Sequence, residues 1–599
     1  MDCRKEPRLV ITRSVSTLIV AVVVMAVFVA SSASPSLAAQ ASGTPGSRYL
    51  IPGLLIPALK HSIPLHATPH AVQQNMQLDL SIALKLRHPT ELDALIAAQN
   101  NPRSSLYHRY ITPSEFTALF APDQAMVDVV AAYLRSQNIH VRSVSPNKLL
   151  IRASGSISSV EHAFNTTLAD YVVAGQTVYA PATTPSVPAT LSGMILNISG
   201  LDNVTHYHRL GKLAVKKEKQ ADPYHGPGGG YTPDAMHAAY NVKPLLTSGV
   251  NGSGQTIALF ELDGYNPADI QTYFNYYHLG SPKYSDVLVG AATNTPGSSA
   301  AEVELDMEQI AAIAPGAQQK VYIGMNRISD VNDIYNQIVN DNSAKLVSIS
   351  WGLCEASIGN AELQTLNNIF KQGVAQGQAF FAASGDSGAY DCGTPALAVD
   401  SPADDPNVVA VGGTTLQIGN DGNYLSETAW SCAFCTQRSQ QGAGSGGGVS
   451  GYFARPAYQS GPGLNNAHRM VPDVSANADP VTGYSVYCSV AAAGCPDSGW
   501  VTVGGTSAAT PLWVALAALM NQYLTNAHRP TLGSANAALY HLYNTTQTYT
   551  PYHDVTTGKN LYYEATTGYD LATGMGTPDA WNIARDLIAS SGKDTQGRK

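Results

Sequence analysis

The sequence predicts an α/β unit, a parallel sheet with helices on both faces, preceded by a small α+β unit with an antiparallel sheet. From about residue 231 onward, short apolar runs alternate with helical stretches; the runs include QTIALFEL, KLVSISW, GQAFFAASG and NVVAVGGTT. Strands buried on both faces read as continuous apolar runs, and intervening helices cover a parallel sheet. Residues 76–205 behave differently. There MQLDLSIALKL alternates apolar and polar positions, as a half-buried strand does.

The elements of the first unit follow in order. Helices are expected over 89–98 and 113–136, because both begin near Pro with Ser or Thr at capping positions and Glu in the first turn. HVRSVSPNKLLIRAS reads as a hairpin turning at Pro146–Asn147, and a further helix is expected over 156–164. Next, LGKLAVKKEKQADPYHGPGGG is polar and basic, then rich in Pro and Gly. It reads as an exposed linker over 206–230, the kind of segment that proteases cut. The expected organisation is a leader over 1–39, a first unit over 45–205, this linker, and a second unit over 231–590.

At 599 residues the chain is too long for one ordinary core. Apolar residues make up 44%, charged residues only 13%, and the net charge is −9. The only basic block is KKEK near residue 216, so nucleic acid is not an expected partner. Few charges also mean little self-repulsion once carboxylates protonate, which suits an acid-tolerant fold.

Arg4, Lys5, Arg8 and Arg13 precede an apolar run over 15–30, followed by small residues in SSASPSLAAQA. That order describes a secretory signal peptide, and the run is shorter than the ~20 residues a spanning helix needs. The product is expected to be secreted and extracellular, with no membrane span after processing. Loss of Cys3 with the leader would leave six of the seven cysteines. An even number in an exported chain favours disulfides. Proximity suggests Cys432–Cys435 and Cys488–Cys495, leaving Cys354–Cys392.

Ser507, in GGTSAATPLWVALAALMNQYL, sits between a glycine turn and a long apolar helix. Free N–H groups and the positive end of the helix dipole lie there and suit an oxyanion. A serine nucleophile needs a base. No histidine of the second unit lies in a glycine-rich or strand-end setting, and HExxH is absent. Carboxylates are the better candidates. In SSAAEVELDMEQIAAIAPGA, a helix at ~100° per residue gathers Val303, Met307, Ile310, Ile313 and Ala314 on one face. Glu302 and Asp306 flank that face one turn apart, where burial raises a carboxyl pKa and like charge resists joint ionisation. Glu304 and Glu308 point the other way and read as a solvated face. Asp386, in FFAASGDSG, follows an apolar strand and a tight turn, where a neutral carboxyl can donate to an oxyanion.

Together GGTSAATP, the ExxxD spacing of Glu302 and Asp306, SGDSG and SISWG resemble the sedolisin, or serine-carboxyl peptidase, family, most closely its kumamolisin branch. SSLYHRYITPSEFTALFAP resembles that family's activation prodomain. The likeness covers about 76–205 and 231–588. It implies a subtilisin-like fold, with the first unit acting as an intramolecular inhibitor. Ser507 becomes the nucleophile, Glu302 the base oriented by Asp306, and Asp386 part of the oxyanion hole. Glu261 and Trp351 match positions that extend the proton network. Ser350, Trp351 and Gly352 match the strand that pairs with substrate backbone, and Asp400 an acidic position near the specificity pocket that favours basic side chains.

The likeness also implies one structural Ca2+ held by the side chains of Asp554 and Asp570 and the carbonyls of Val555, Thr566 and Gly568. Thr566 stands where the family often has Gly, and the Asp554–Asp570 spacing is short. A carbonyl ligand does not depend on its side chain, and oxygen-only ligation suits calcium. The implied activity is that of a monomeric, acid-active endopeptidase made as a zymogen and acting on proteins or peptides. A tripeptidyl exopeptidase of the same family and an inactive secreted binding relative are the alternatives.

Overall fold

The computed structural model describes residues 47–51, 76–173, 175–214, 222–393, 395–433 and 442–596. The expected signal peptide, much of the approach to the first unit, part of the linker, and Cys435 lie outside them. Among the described residues no helix is long and apolar enough to cross a membrane.

The first unit is a four-stranded antiparallel sheet in the order His140–Val144, Leu150–Ser156, Gln77–Leu84, Ile195–Ser199. Alternation places Leu78, Leu80 and Ile82 on one face, under the helices Gln124–Ser136 and Ile157–Phe164. The strand was expected to be half-buried, yet Ser81 and Ala83 on its other face are also buried. That face docks on the helices Ile328–Asp341 and Asn360–Ala375 of the second unit. Buried polar contacts fix the docking. Asn147 donates to Asn336 and Gln372 at 2.6 Å, Asn197 and Ser199 donate to Glu362, and Arg152 pairs with Asp330 at 2.9 Å and Asp333 at 3.0 Å.

The single helix expected over 113–136 is two, Pro113–Leu119 and Gln124–Ser136. Pro122 accounts for the break, since the residue before a proline is pushed out of the helical region. The first piece opens on a capping box between Thr112 and Glu115. Beyond the expected elements, Leu168–Val173 and Gln176–Pro181 form a separate hairpin.

The second unit is built on an eight-stranded sheet. Its parallel strands run in the order Tyr284–Leu288, Gln318–Ile323, Thr256–Glu261, Leu346–Ile349, Ala379–Ala383, Val408–Ile418. Val474–Asn477 adds in parallel to the last, and Tyr424–Ala429 pairs with it antiparallel. Helices Pro267–Tyr277, Ala300–Ile313 and Thr506–Asn526 belong to the apolar cluster on one face, and Ile328–Asp341 and Asn360–Ala375 to that on the other. Disulfides join Cys354 to Cys392 and Cys488 to Cys495. Cys432 is disulfide-bonded as well.

Two expectations fail here. Glu304 and Glu308 are not solvated; both are fully buried. Their helix has no wet face, because Pro267–Tyr277 and the strand Tyr484–Tyr487 cover the side away from the helix Thr506–Asn526. Glu304 accepts from the Asn266 amide and Glu308 from the Tyr487 amide. Burial pushes Glu304 up to about 9 and Glu308 well above the usual carboxyl range, which favours the protonated form of both. The linker is also not wholly exposed. The short strands His208–Arg209 and Lys212–Ala214 pair with strands of the second unit.

Candidate active site

Gly505 begins the site. Its φ of 102° favours glycine, and it lets the chain turn from the strand Trp500–Gly504 straight into the helix Thr506–Asn526. Ser507 therefore sits in the first helical turn, fully buried in this precursor. Glu302 and Asp306 come from the neighbouring helix Ala300–Ile313, which packs along the same sheet face, Glu261 from the end of the strand Thr256–Glu261, and Asp386 from the turn after Ala379–Ala383.

The carboxyl groups form one network. Burial pushes Glu302 up to about 7, while the Ser507 hydroxyl, the Arg209 cation and the Gly211 amide pull it down. The Ser507 hydroxyl lies 3.4 Å from the Ser350 carbonyl and close enough to Glu302 to lower its pKa. Burial, then Glu261 and Glu302, push Asp306 well up, and the Ser350 hydroxyl donates to both its oxygens at 2.8 Å. Glu261 is raised by burial and accepts the Trp351 indole N–H at 3.0 Å. Glu261, Glu302 and Asp306 are close enough to share charge, so they titrate as a group.

The linker runs through this network in an extended conformation. Arg209 pairs with Trp351 and His208 with Gly352, antiparallel, and the Leu210 amide donates to the Ser350 carbonyl at 3.2 Å. On the other side Lys212, Leu213 and Ala214 pair with Gly504, Val503 and Thr502. Between these ladders the Gly211 amide donates to Glu302 Oε2 at 2.9 Å. A side chain on Gly505 would sit 2.0 Å from the Leu210 carbonyl oxygen and 2.8 Å from Asp386 Oδ2. The missing Cβ is therefore the space in which that carbonyl and Asp386 approach each other. Asp386 Oδ1 is held by the Thr506 amide at 2.8 Å and the Thr506 hydroxyl at 2.9 Å.

Asp400 lies across Gly352 from Leu210. A Cβ on Gly352 would be 3.1 Å from both Asp400 Oδ2 and Leu210 Cδ1. His208 Nε2 is 3.5 Å from the same oxygen. Asp400 is fully buried, and burial together with Asp386 pushes its pKa well up.

The residues expected to hold calcium fall on two adjoining turns. Asp570 accepts the amides of Thr566, Ala572 and Thr573, and Asp554 accepts that of Gly568 at 3.0 Å. Both carboxylates lie close enough to act on the Tyr543 hydroxyl. Two carboxylates and three carbonyls make an all-oxygen donor set, which fits a hard divalent cation.

Sequence reasoning missed three participants. Thr506 precedes the nucleophile directly and could have been read as an anchor for Asp386. The Ser350 hydroxyl, named only for its backbone, also bridges to Asp306. Asn326, in the turn after Gln318–Ile323, binds the linker backbone and carries no sequence signal.

Such a scaffold, with a serine in the first turn of a buried helix among buried acids, is that of a serine-type peptidase. Residues 67–204 match the model for the pro-kumamolisin activation domain, and 288–576 match that of the subtilase family. Sedolisin from Pseudomonas sp. (strain 101) is 32% identical over 540 residues, 85% of this chain and 87% of its own. Kumamolisin from Bacillus sp. (strain MN-32) is 33% identical over 462 residues, 73% and 78% of the two chains. Tripeptidyl-peptidase 1 from Homo sapiens is 24% identical over 554 residues, 86% and 92%. The structure of Pseudomonas sedolisin, a serine-carboxyl proteinase complexed with two molecules of pseudo-iodotyrostatin, superposes with a TM-score of 0.53 at 29% identity, covering 61% of this chain and all of that one. The chain belongs to the sedolisin family of serine peptidases and carries that family's activation domain.

Proposed function

We propose that the chain is the zymogen of a secreted, acid-active serine-carboxyl endopeptidase that cuts its own Leu210–Gly211 bond. One observation carries this reading: the Gly211 amide rests on Glu302 while the Leu210 carbonyl oxygen and Asp386 Oδ2 both border Gly505, two residues before Ser507. The chemistry follows from those positions. Ionised Glu302 takes the Ser507 proton as Oγ attacks the Leu210 carbonyl carbon. The oxyanion is held by the amide at Ser507 and by protonated Asp386. Glu302 then returns its proton to the Gly211 nitrogen, the C–N bond breaks, and Leu210 is left as an ester on Ser507. Water, activated by the same carboxylate, releases it. Asp306 and Glu261 hold the base in place and restrict its charge. Arg209 favours the ionised form of Glu302 and so supports the first step.

Asp386 must be protonated to donate, which supports acid activity. Asp554, Asp570 and the carbonyls of Val555, Thr566 and Gly568 would hold one Ca2+, tying the two turns together; the ion supplies structure and no chemistry. The basic, apolar and small-residue order over 1–41 supports export. A tripeptidyl activity is the second reading, favoured by the likeness to tripeptidyl-peptidase 1. The test is to acidify the purified precursor and sequence the new N-terminus. The expected product begins at Gly211, and Ser507→Ala stays intact. A Ser507→Ala precursor that still loses its first unit sinks the reading.

A further inference from the structure

The antiparallel ladder between linker and second unit ends early. His208 is the last linker residue to pair with the strand Trp351–Cys354, which beyond that point pairs with Asp400–Ser401 instead. The next linker residue, Tyr207, therefore faces no strand on that side. Its backbone is nevertheless satisfied. The Tyr207 amide donates to Asn326 Oδ1 at 2.9 Å, and Asn326 Nδ2 donates to the Tyr207 carbonyl at 2.7 Å. A single side-chain amide thus reproduces the paired bonds that a neighbouring strand would make. The Asn326 carbonyl in turn lies 2.8 Å from His206 Nδ1.

The Tyr207 ring is buried, 3% exposed. It belongs to the apolar cluster that includes Trp351, Ile349 and Tyr335, all of the second unit. Burial, then Glu362, Asp404 and Asp400, push its pKa well up. Among the described residues its hydroxyl has no hydrogen-bond partner, so the slot holds the ring and does not read the oxygen.

We infer that Asn326 is a main-chain clamp for the fourth residue upstream of the scissile bond, and that the slot beside it selects a large apolar or aromatic side chain there. The inference rests on the reading that the linker lies as a substrate lies. It deepens that reading, because an enzyme that releases tripeptides binds only three residues upstream of the cut. On separate peptide substrates, a clamp at the fourth position serves an enzyme that cuts internally.

The test uses the full chain processed by acid and quenched peptides built on Tyr-His-Arg-Leu-Gly-Lys. The comparison peptide lacks the leading Tyr. Wild type is expected to cleave the longer peptide about a hundredfold more efficiently, as two backbone hydrogen bonds and a buried ring warrant. Asn326→Ala removes about tenfold from the longer peptide and leaves the shorter one unchanged. Asn326→Asp keeps the acceptor and loses the donor, and falls between. Phe in place of the leading Tyr is cleaved as well as Tyr, whereas Asp is not. The shorter peptide controls for misfolding of the variants. Equal cleavage of both peptides by wild type overturns the inference, as does an equal loss on both in Asn326→Ala. Cutting at a bond other than Leu–Gly overturns the substrate reading beneath it.

Discussion

The amide nitrogen of Gly211 lies 2.9 Å from Oε2 of Glu302. The residue expected to take the nucleophile's proton already touches the atom expected to receive it. This contact needs a glycine: a Cβ on residue 211 would sit 2.2 Å from the same oxygen. Gly211→Val is expected to push the carboxyl away and slow self-cleavage at this bond by at least about tenfold, as misplacement of a catalytic group does. The rate at which the precursor band disappears in acid measures it. An unchanged rate would separate the contact from the reaction.

Asp386 supports a prediction about pH. Asp386→Ala is expected to lower peptide cleavage about 10²–10³-fold, the usual loss for one oxyanion donor. Asp386→Asn is more informative. Asparagine keeps an acceptor for Thr506 and donates at every pH, whereas aspartate donates only when protonated. The pH–rate profile of Asp386→Asn should therefore lose the alkaline fall expected of wild type. Identical alkaline limbs in the two proteins would place the controlling proton elsewhere.

Burial of carboxyl groups makes stability depend on pH. Glu302 and Glu427 are pushed up to about 7 and Glu304 to about 9, from an ordinary value of 4.5. Each is raised in the folded state, so its contribution is complete below the unfolded pKa and is lost as pH rises through the folded one. The Ser507→Ala precursor should melt highest near pH 4 and lower in two stages, through 7 and then 9. Glu304→Gln should make the later stage shallower, with Glu308 continuing to contribute to it. A melting temperature that rises from pH 5 to 9 contradicts the assignment.

Calcium supplies a further check. Asp570→Ala should lower the melting temperature in calcium but change little in chelator, apart from the turn amides that Asp570 itself holds. Asp554→Asn isolates the ion, since the Gly568 amide keeps its acceptor. If chelator leaves the wild-type melting temperature unaltered, these turns do not bind calcium.

The site was legible wherever one local pattern reports one local geometry. The helical phase placed Glu302 and Asp306 together at the edge of the core, and a glycine turn before an apolar helix marked Ser507. The same phase argument misplaced Glu304 and Glu308, because it assumes that a helix has a wet side. The helix Ala300–Ile313 lies between the nucleophile helix and Pro267–Tyr277, and that third partner leaves no trace in its own sequence. The linker misled for a related reason. Its composition is that of an exposed segment, but its conformation is set by strand edges at Trp351 and Gly504. Pairing across such separations is invisible to composition. Asn326 is the extreme case, a lone polar residue in a turn whose partner is Tyr207.

The strands His208–Arg209 and Lys212–Ala214 already pair with strands of the second unit, and this bears on kinetics. A bond held at its own nucleophile reacts without an encounter, so the first cut is expected to follow first-order kinetics. Its half-time would then be the same in a dilute secretion as in a concentrated stock. Each molecule would carry its own clock, started by acid and indifferent to its neighbours.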